Sequence, residues 1–394
     1  MTAIALAALV IFCLFLGLIW VALYRRNVHI WIKSYLIRSG HIRGIRRDVR
    51  GTKHVIFCFA DHFEPYRAKA SDDEAMARTL RWINDYEAMA RCHKDADGRP
   101  PIHTFFYPEE EYNFAILDVL ASHCQRGYGE VEIHLHHDND TSEGLRFKLN
   151  GFVKTLHEKH GLLPIQDGKP CYAFVHGNWA LDNSRKDGRW CGVNDELIVL
   201  RETGCYADFT LPSAGSDAQT STINSIYYAK DDPAKPKSHD TGIPVCVNGQ
   251  PSGDLMIIQG ALALHWAHRK FGFLPRIEDS DIAVANIPIE PRIDLWVDQH
   301  IHVVGRPEWL FIKLSTHGCF QEFADSMFGG ELDRMFNYLE TKYNDGDEYS
   351  LHYTSARETY NIVKAAEAGM SGNPNEQRNF SLLPPNYQPV SDRD

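Results

Sequence analysis

The sequence lacks a basic excess: 41 Lys and Arg stand against 52 Asp and Glu, a formal net charge of −11. Surfaces that track a phosphate backbone are basic, which argues against nucleic acid as a main partner. There is no CxxC pair, and the nine cysteines are scattered without disulfide-like spacing. An odd set of this kind is easier to keep reduced than oxidised and favours a cytosolic setting. Neither a GxxxxGKS/T phosphate loop nor a GxSxG elbow is present, which argues against nucleotide-driven and serine-hydrolase chemistry. No internal repeat is visible. What is present is material for a sizeable core, 44% hydrophobic residues in a chain of 394, a length that a single α/β barrel can reach.

Charge is also absent from Ala3 to Tyr24. That run meets the roughly 20 apolar residues a bilayer-spanning helix needs, so residues 1–24 read as a membrane anchor. A cleaved signal peptide is the competing reading, but the run continues through Trp20 to Tyr24 like an interfacial boundary. Arg25, Arg26, Lys33, Arg38, Arg43, Arg46, Arg47 and Arg50 follow it. By the positive-inside tendency the C-terminal part faces the cytoplasm, giving a single-pass protein. Residues 25–50 mix those bases with Ile30, Trp31, Tyr35, Leu36 and Ile42. They suit either an anionic membrane surface or a connecting helix packed on the domain.

Past residue 50 short apolar runs recur at 54–60, 102–107, 131–136, 171–175, 205–209, 254–259 and 309–315, with helix-like or irregular stretches between. This alternation indicates an α/β fold with a mostly parallel sheet over 51–370. The stretch 211–253, rich in Ser, Asp, Pro and Gly, reads as a long insertion, and the tail 371–394 as extended or disordered. Several strands end in a reactive group: Asp61 and His62, His136, His176, Asp208, His317. The C-terminal ends of parallel strands are where such folds place active sites.

The densest of these ends is EIHLHHDND, 132–140. Val131, Ile133 and Leu135 alternate with Glu132, His134 and His136, which puts His136 at a strand tip. Asp140 follows four residues on, before the helical pattern Leu145, Leu149, Phe152, Leu156. A His/Asp pair at that spacing suits a divalent ion, zinc first, with cobalt, manganese or nickel as alternatives. Alternatively Asp138, Asn139 or Asp140 caps the helix and the histidines line a wet groove.

Together the segments FCFADHFEP (57–65), EIHLHHDND (132–140), FVHGNW (174–179), CYADFTLPS (205–213) and LSTHG (314–318) resemble the strand-end motifs of the polysaccharide deacetylase family, the NodB-like carbohydrate esterases. The resemblance covers about residues 50–320 and departs from the usual form in every motif. It implies a distorted (β/α)7 barrel behind the N-terminal helix, and metal-dependent removal of an acetyl group from an N-acetylated sugar. The family's first motif ends in two aspartates, a base and a ligand; here Asp61 and His62 stand in those places. Its second motif carries two histidines four apart, here His136 and Asp140. The implied ligands are therefore His62, His136 and Asp140, with Asp61 as general base; a shift of register instead makes Asp61 the ligand. His317 would protonate the leaving nitrogen and Asp208 would orient or tune one of these groups. His176 occupies the place of an arginine that holds the base, and with Asn178 and Trp179 it would contact the sugar. Trp179 also reads as plain packing.

Amide hydrolysis fits such a set, because an ion lowers the pKa of water and polarises a carbonyl while a histidine supplies a proton. Glu64 offers an alternative base or ligand, and His300 and His302 offer outer support. His265 and His268 lie three apart in a helix-like stretch without an HExxH pattern and read as surface or core residues. Cys319 lies too near His317 along the strand end to pair with it as a nucleophile. The expected partners are an N-acetylated glycan or glycolipid, the membrane, and enzymes of glycan biosynthesis. Two rivals stand beside this reading: a glycoside hydrolase using Asp61 with Asp208 or Glu64, and an inactive deacetylase-like scaffold in a glycan assembly complex.

Overall fold

The computed structural model describes residues 2–389. The first helix, α1 (Thr2–Arg25), is long and apolar enough over Ala5–Arg25 to cross a membrane, and none of it is buried in the protein. The basic segment forms α2 (Val28–Asp48), which buries Val28, Trp31 and Ile42 and donates from Arg38 Nη1 to the Gln299 carbonyl at 2.6 Å. It is thus a helix packed on the domain.

All seven apolar runs are strands. They are β1 (Lys53–His62), β2 (His103–Pro108), β3 (Gly129–Leu135), β4 (Tyr172–His176), β5 (Cys205–Asp208), then Leu255–Ile258 and Trp309–Thr316. Two further strands escape a reading by hydrophobicity. Ile226–Ala229 lies inside the presumed insertion, and Tyr349–Thr354 alternates polar and apolar residues. In chain order the later strands are β6 (Ile226–Ala229), β7 (Leu255–Ile258), β8 (Trp309–Thr316) and β9 (Tyr349–Thr354). They belong to one 11-stranded sheet in which β8, β1, β2, β3, β4, β5 and β7 are neighbours and parallel, while β6 pairs antiparallel with β7. The lower half of β1 pairs with β9 and the upper half with β2.

Because side chains alternate across a strand, the sheet has two dissimilar faces. Phe57, Phe59, Phe105, Ile133 and Phe174 face the helices α3 (Asp72–Ala90), α4 (Phe114–Gln125) and α5 (Ser142–His160). Ile56, Cys58, Ala60, Phe106, Val175, Ala207, Met256 and Phe311 gather on the opposite face. An extended segment near 301–304 accepts from Phe311 N through the Ile301 carbonyl (2.8 Å) and donates from Val304 N to the Val245 carbonyl (2.9 Å).

Two sequence expectations need correction. The tail does not trail away. As far as Pro389 it packs on the domain: Arg378 pairs with Asp95 at 3.1 Å and Glu358 at 3.0 Å, and Leu382 is buried. Those buried ion pairs and the Asn361 amide, which donates to the Arg378 and Leu382 carbonyls, offset its ordering. Residues 390–394 lie outside the described residues. His265 and His268 sit not on a helix but on a strand, Ala263–Lys270, paired antiparallel with Leu274–Glu278. The hairpin leaves Trp266, Phe271 and Phe273 exposed, with Phe273 against Phe15 of α1.

Candidate metal centre

Three strand ends converge. Beyond β1, Phe63 continues the ladder through its N–H to the Phe106 carbonyl (3.0 Å) and packs edge-on to Phe105, which presents Glu64 at the sheet's rim. At the end of β3 stand His134 and His136, and beyond β8 stands His317. Glu64 Oε1 lies 3.5 Å from His134 Nε2 and 3.7 Å from His136 Nε2. The His62 ring centroid is 4.6 Å from that of His317 and 4.9 Å from that of His134. Two overlapping triads result, Glu64/His134/His136 and His62/Glu64/His317, each with its ligand atoms within 4.8 Å of one another.

The tautomers follow from the other ring nitrogens. His134 Nδ1 is 2.7 Å from the Val175 carbonyl, which only accepts, so Nδ1 carries a proton and Nε2 is the nitrogen that the neutral ring leaves bare. His136 Nδ1 is 2.5 Å from Glu110 Oε1 and donates to it, so that in the neutral ring Nε2 is the bare nitrogen. This arrangement, with the outer nitrogen bonded to a carbonyl or carboxylate, is how metal-binding imidazoles are oriented. His134 Nε2 is buried and has no hydrogen-bond partner among the described residues. Donors about 2.0–2.1 Å from a tetrahedral ion lie roughly 3.3 Å apart, near the spacings seen here.

Electrostatics point the same way. Burial pushes the Glu64 carboxyl up, but His134, His317 and His136 outweigh it and hold its pKa at about 2, so it is a carboxylate. Burial lowers His136, yet Glu110, Glu64 and Glu111 outweigh that and raise it, a field that favours a cation on this ring. His62 is held well below its ordinary value by burial and by His317 and His134, and is neutral. His317 is lowered mainly by burial. It borders a cavity of about 490 Å³ lined also by Arg67, Val284, Phe320 and Gln321.

His62, His136 and His317 thus come together, and Trp179 stands edge-on to His317 at 6.5 Å between ring centroids. The remaining expected residues fall elsewhere. Asp140 does not join His136. With Asn139 in the left-handed region (φ 49°) the chain turns back, and the Asp140 carboxylate accepts from Lys148 Nζ (2.6 Å) and His137 Nδ1 (3.1 Å). The α5 cap is Thr141, whose hydroxyl accepts from Gly144 N at 3.1 Å. Asp61 does not stand free as a base. On β1 it shares the helix-facing parity of Phe57 and Phe59, opposite to His62, and it is buried. Its Oδ2 is 2.8 Å from His103 Nε2, and its Oδ1 accepts from Gly318 N at 2.6 Å. It therefore positions the turn carrying His317. Asp208 is also buried, accepting from Thr210 N (3.0 Å) and Thr210 Oγ1 (2.6 Å). His176 belongs to a second cluster with His137, Cys191 and Glu196, and Asn178 sits half-buried in the loop beyond it.

His134, Glu110, His137, Cys191 and Glu196 were not singled out from sequence. The alternation placing His134 beside His136, and the Glu109–Glu111 run after β2, are the signals that point to the first two. A further group, Asp95/Asp97/His352, already holds the Arg378 guanidinium at 3.1 Å from Asp95 and 3.7 Å from Asp97, and is an ion-pair network. The chain matches no protein-family model, and no curated protein matches it. Fold and site define a mixed α/β protein whose strand ends carry His/Glu and His/Cys/Glu clusters able to bind a metal ion.

Proposed function

We propose that this protein is a membrane-anchored, metal-dependent hydrolase that removes the acetyl group from an N-acetylated sugar of a glycan or glycolipid. The observation that carries the reading is the pair His134 and His136, whose Nδ1 atoms are fixed by Val175 and Glu110 so that both Nε2 atoms face Glu64. Glu64, His134 and His136 would hold the ion, with His62 beside them. When bound, a divalent ion, zinc first, lowers the pKa of water and polarises an acyl carbonyl. His317, which lines the cavity and is neutral at rest, would pass on to the departing nitrogen a proton it receives from the water, and Asp61 steadies its turn through Gly318. Trp179 places an indole beside His317, the kind of aromatic ring on whose face a sugar stacks. Asp61, expected as base, is tied to Gly318 and His103, so the neutral His62 or His317 would take up the proton of the attacking water.

The reading includes a (β/α)7-type barrel. Its support is the single apolar cluster lined by alternate residues of β1, β2, β4, β5, β7 and β8, together with the bonds that the 301–304 segment makes to β8 and to Val245. The positive charges after α1 favour a cytoplasmic catalytic domain, where a nucleotide- or lipid-linked sugar is the natural carrier.

A specific observation favours one rival. The tethering of Asp61 is what an inactive scaffold retaining the fold would also show. The glycoside hydrolase gains no such support, since Asp61 and Asp208 are both buried and bonded within the domain. The deciding experiment offers the full chain in detergent N-acetylhexosamine in free, nucleotide-linked and lipid-linked form, with and without chelator. Chelator-sensitive acetate release supports the deacetylase; no release from any carrier, with no ion bound at the Glu64 cluster, moves the assignment to the scaffold. A C-terminal reporter that signals only outside the cytoplasm overturns the cytoplasmic placement.

A further inference from the structure

The cluster of His137, His176, Cys191 and Glu196 differs from the first in being sealed. All four residues are buried, and the His137, His176 and Glu196 side chains have no exposure at all. His137 Nδ1 donates to Asp140 Oδ2 at 3.1 Å, and His176 Nδ1 donates to the Gly177 carbonyl at 2.6 Å. With both rings neutral each Nε2 carries a lone pair, and the two face each other at 2.9 Å. Glu196 Oε1 lies 3.2 Å from one and 3.4 Å from the other. In that state three acceptors converge with no donor between them in a dry interior, where an unpaired buried polar group is costly, and a cation in their midst satisfies all three. Beside them the Cys191 thiol donates to Glu196 Oε2 at 3.3 Å and its sulfur accepts from Asn183 N at 3.3 Å and Val193 N at 3.4 Å. Those two N–H groups would bond the sulfur once its proton is exchanged for an ion, as hydrogen bonds to ligating sulfurs do.

We propose that His137, His176, Glu196 and Cys191 form a second metal site, a closed structural centre for zinc. Two imidazoles, a carboxylate and a thiolate make a four-donor set of the type that selects this ion, and a closed set with no open position is the structural form. Binding exchanges the thiol proton of Cys191, released to solvent, for a sulfur–metal bond. The ion joins the ends of β3 and β4 to Cys191 and to the first residue of α6 (Glu196–Glu202). Between those anchors Asn178, Trp179, Asp182, Asn183 and Trp190 all have positive φ, from 50° to 67°. So many non-glycine residues in the left-handed region within one loop need an external constraint, and the crosslink supplies it. The same loop carries Trp179 to His317. The proposal stands whether or not the first cluster is catalytic.

The test is cobalt substitution and metal counting on the full chain in detergent. Wild-type protein loaded with cobalt(II) should show the near-ultraviolet thiolate-to-cobalt charge-transfer absorption. The Cys191→Ser variant should lose that absorption, and His137→Gln should bind one fewer ion. His136→Ala should keep the thiolate band while losing the ion of the first cluster together with any acetate release. A wild-type protein without the band, a band that persists in Cys191→Ser, or equal metal content in wild type and His137→Gln overturns the proposal. If Cys191→Ser does not fold, zinc-edge X-ray absorption of the wild type decides. A sulfur shell at roughly 2.3 Å supports the site, and a shell of nitrogen and oxygen alone overturns it.

Discussion

His136 and His137 are neighbours in sequence and serve different places. His136 leans over the rim, half-exposed, into a cluster in which four histidines surround a shared carboxylate and which opens beside a cavity. His137 turns inward to a set with no solvent contact, its outer nitrogen on Asp140. An open set with more donors than an ion needs leaves room for water and substrate, whereas a closed four-donor set leaves none. The difference teaches that exposure and donor count, more than residue type, tell the proposed reactive centre from the proposed fastening.

The sharpest way to break this comparison is to remove one donor from each cluster. Glu64→Ala should lower acetate release on the order of 10³-fold with little change in melting temperature, measured by acetate assay and thermal denaturation. The same pattern from His137→Gln would erase the distinction. Gly177→Ala tests how the clusters are joined. A Cβ there would stand 2.3 Å from His136 Cδ2, so the ring must move, and activity should fall on the order of 10²-fold. Glu110→Gln weakens the acceptor that orients His136 and should loosen the first ion roughly 10–100-fold, read by competition with a chelating dye. The thiolate band of the second site should not change.

Asp61→Asn separates positioning from base catalysis. As a buttress of Gly318 it should cost about 1–3 kcal/mol of stability and leave the shape of the pH–rate profile intact; loss of the profile's acid limb with full stability would restore it as the base. The smallest effect is expected at His123, a buried histidine in neither cluster. Among the described residues its ring nitrogens have no hydrogen-bond partner, and burial, then Arg126, lowers its pKa from the ordinary 6.5 to about 3. Between those values the unfolded chain binds the extra proton, so stability rises with pH and is lost as pH falls from about 6.5 towards 3. His123→Leu should flatten that acid limb in urea titrations; an unchanged slope would refute the assignment.

Much of the sheet was legible because β1 to β5, β7 and β8 are apolar runs between breakers. The strands that were not, β6 and β9, are short or mix polar with apolar residues, so hydrophobicity alone does not mark them. Strand parity was the harder loss. Residues 54–60 are nearly all apolar because β1 is buried on both faces, and such a run does not say whether Asp61 or His62 looks inward. Likewise the four-residue spacing of His136 and Asp140 gave no warning of the left-handed Asn139 that turns Asp140 away. His62, His136 and His317 were readable because strand ends in parallel sheets meet regardless of parity. Cys191 and Glu196 were not, since they come from a loop and a helix start with no periodic signal.

Asp61 accepts a hydrogen bond from a residue 257 positions later, and β1 lies between strands that begin at Trp309 and Tyr349. During synthesis the first strand therefore leaves the ribosome with both lower edges bare and waits for most of the chain before either is covered. Such high contact order slows folding and exposes strand edges to wrong partners. The histidine rim around Glu64 can close only when the segment bearing His317 emerges, so a nascent chain stopped before it holds an incomplete set of donors.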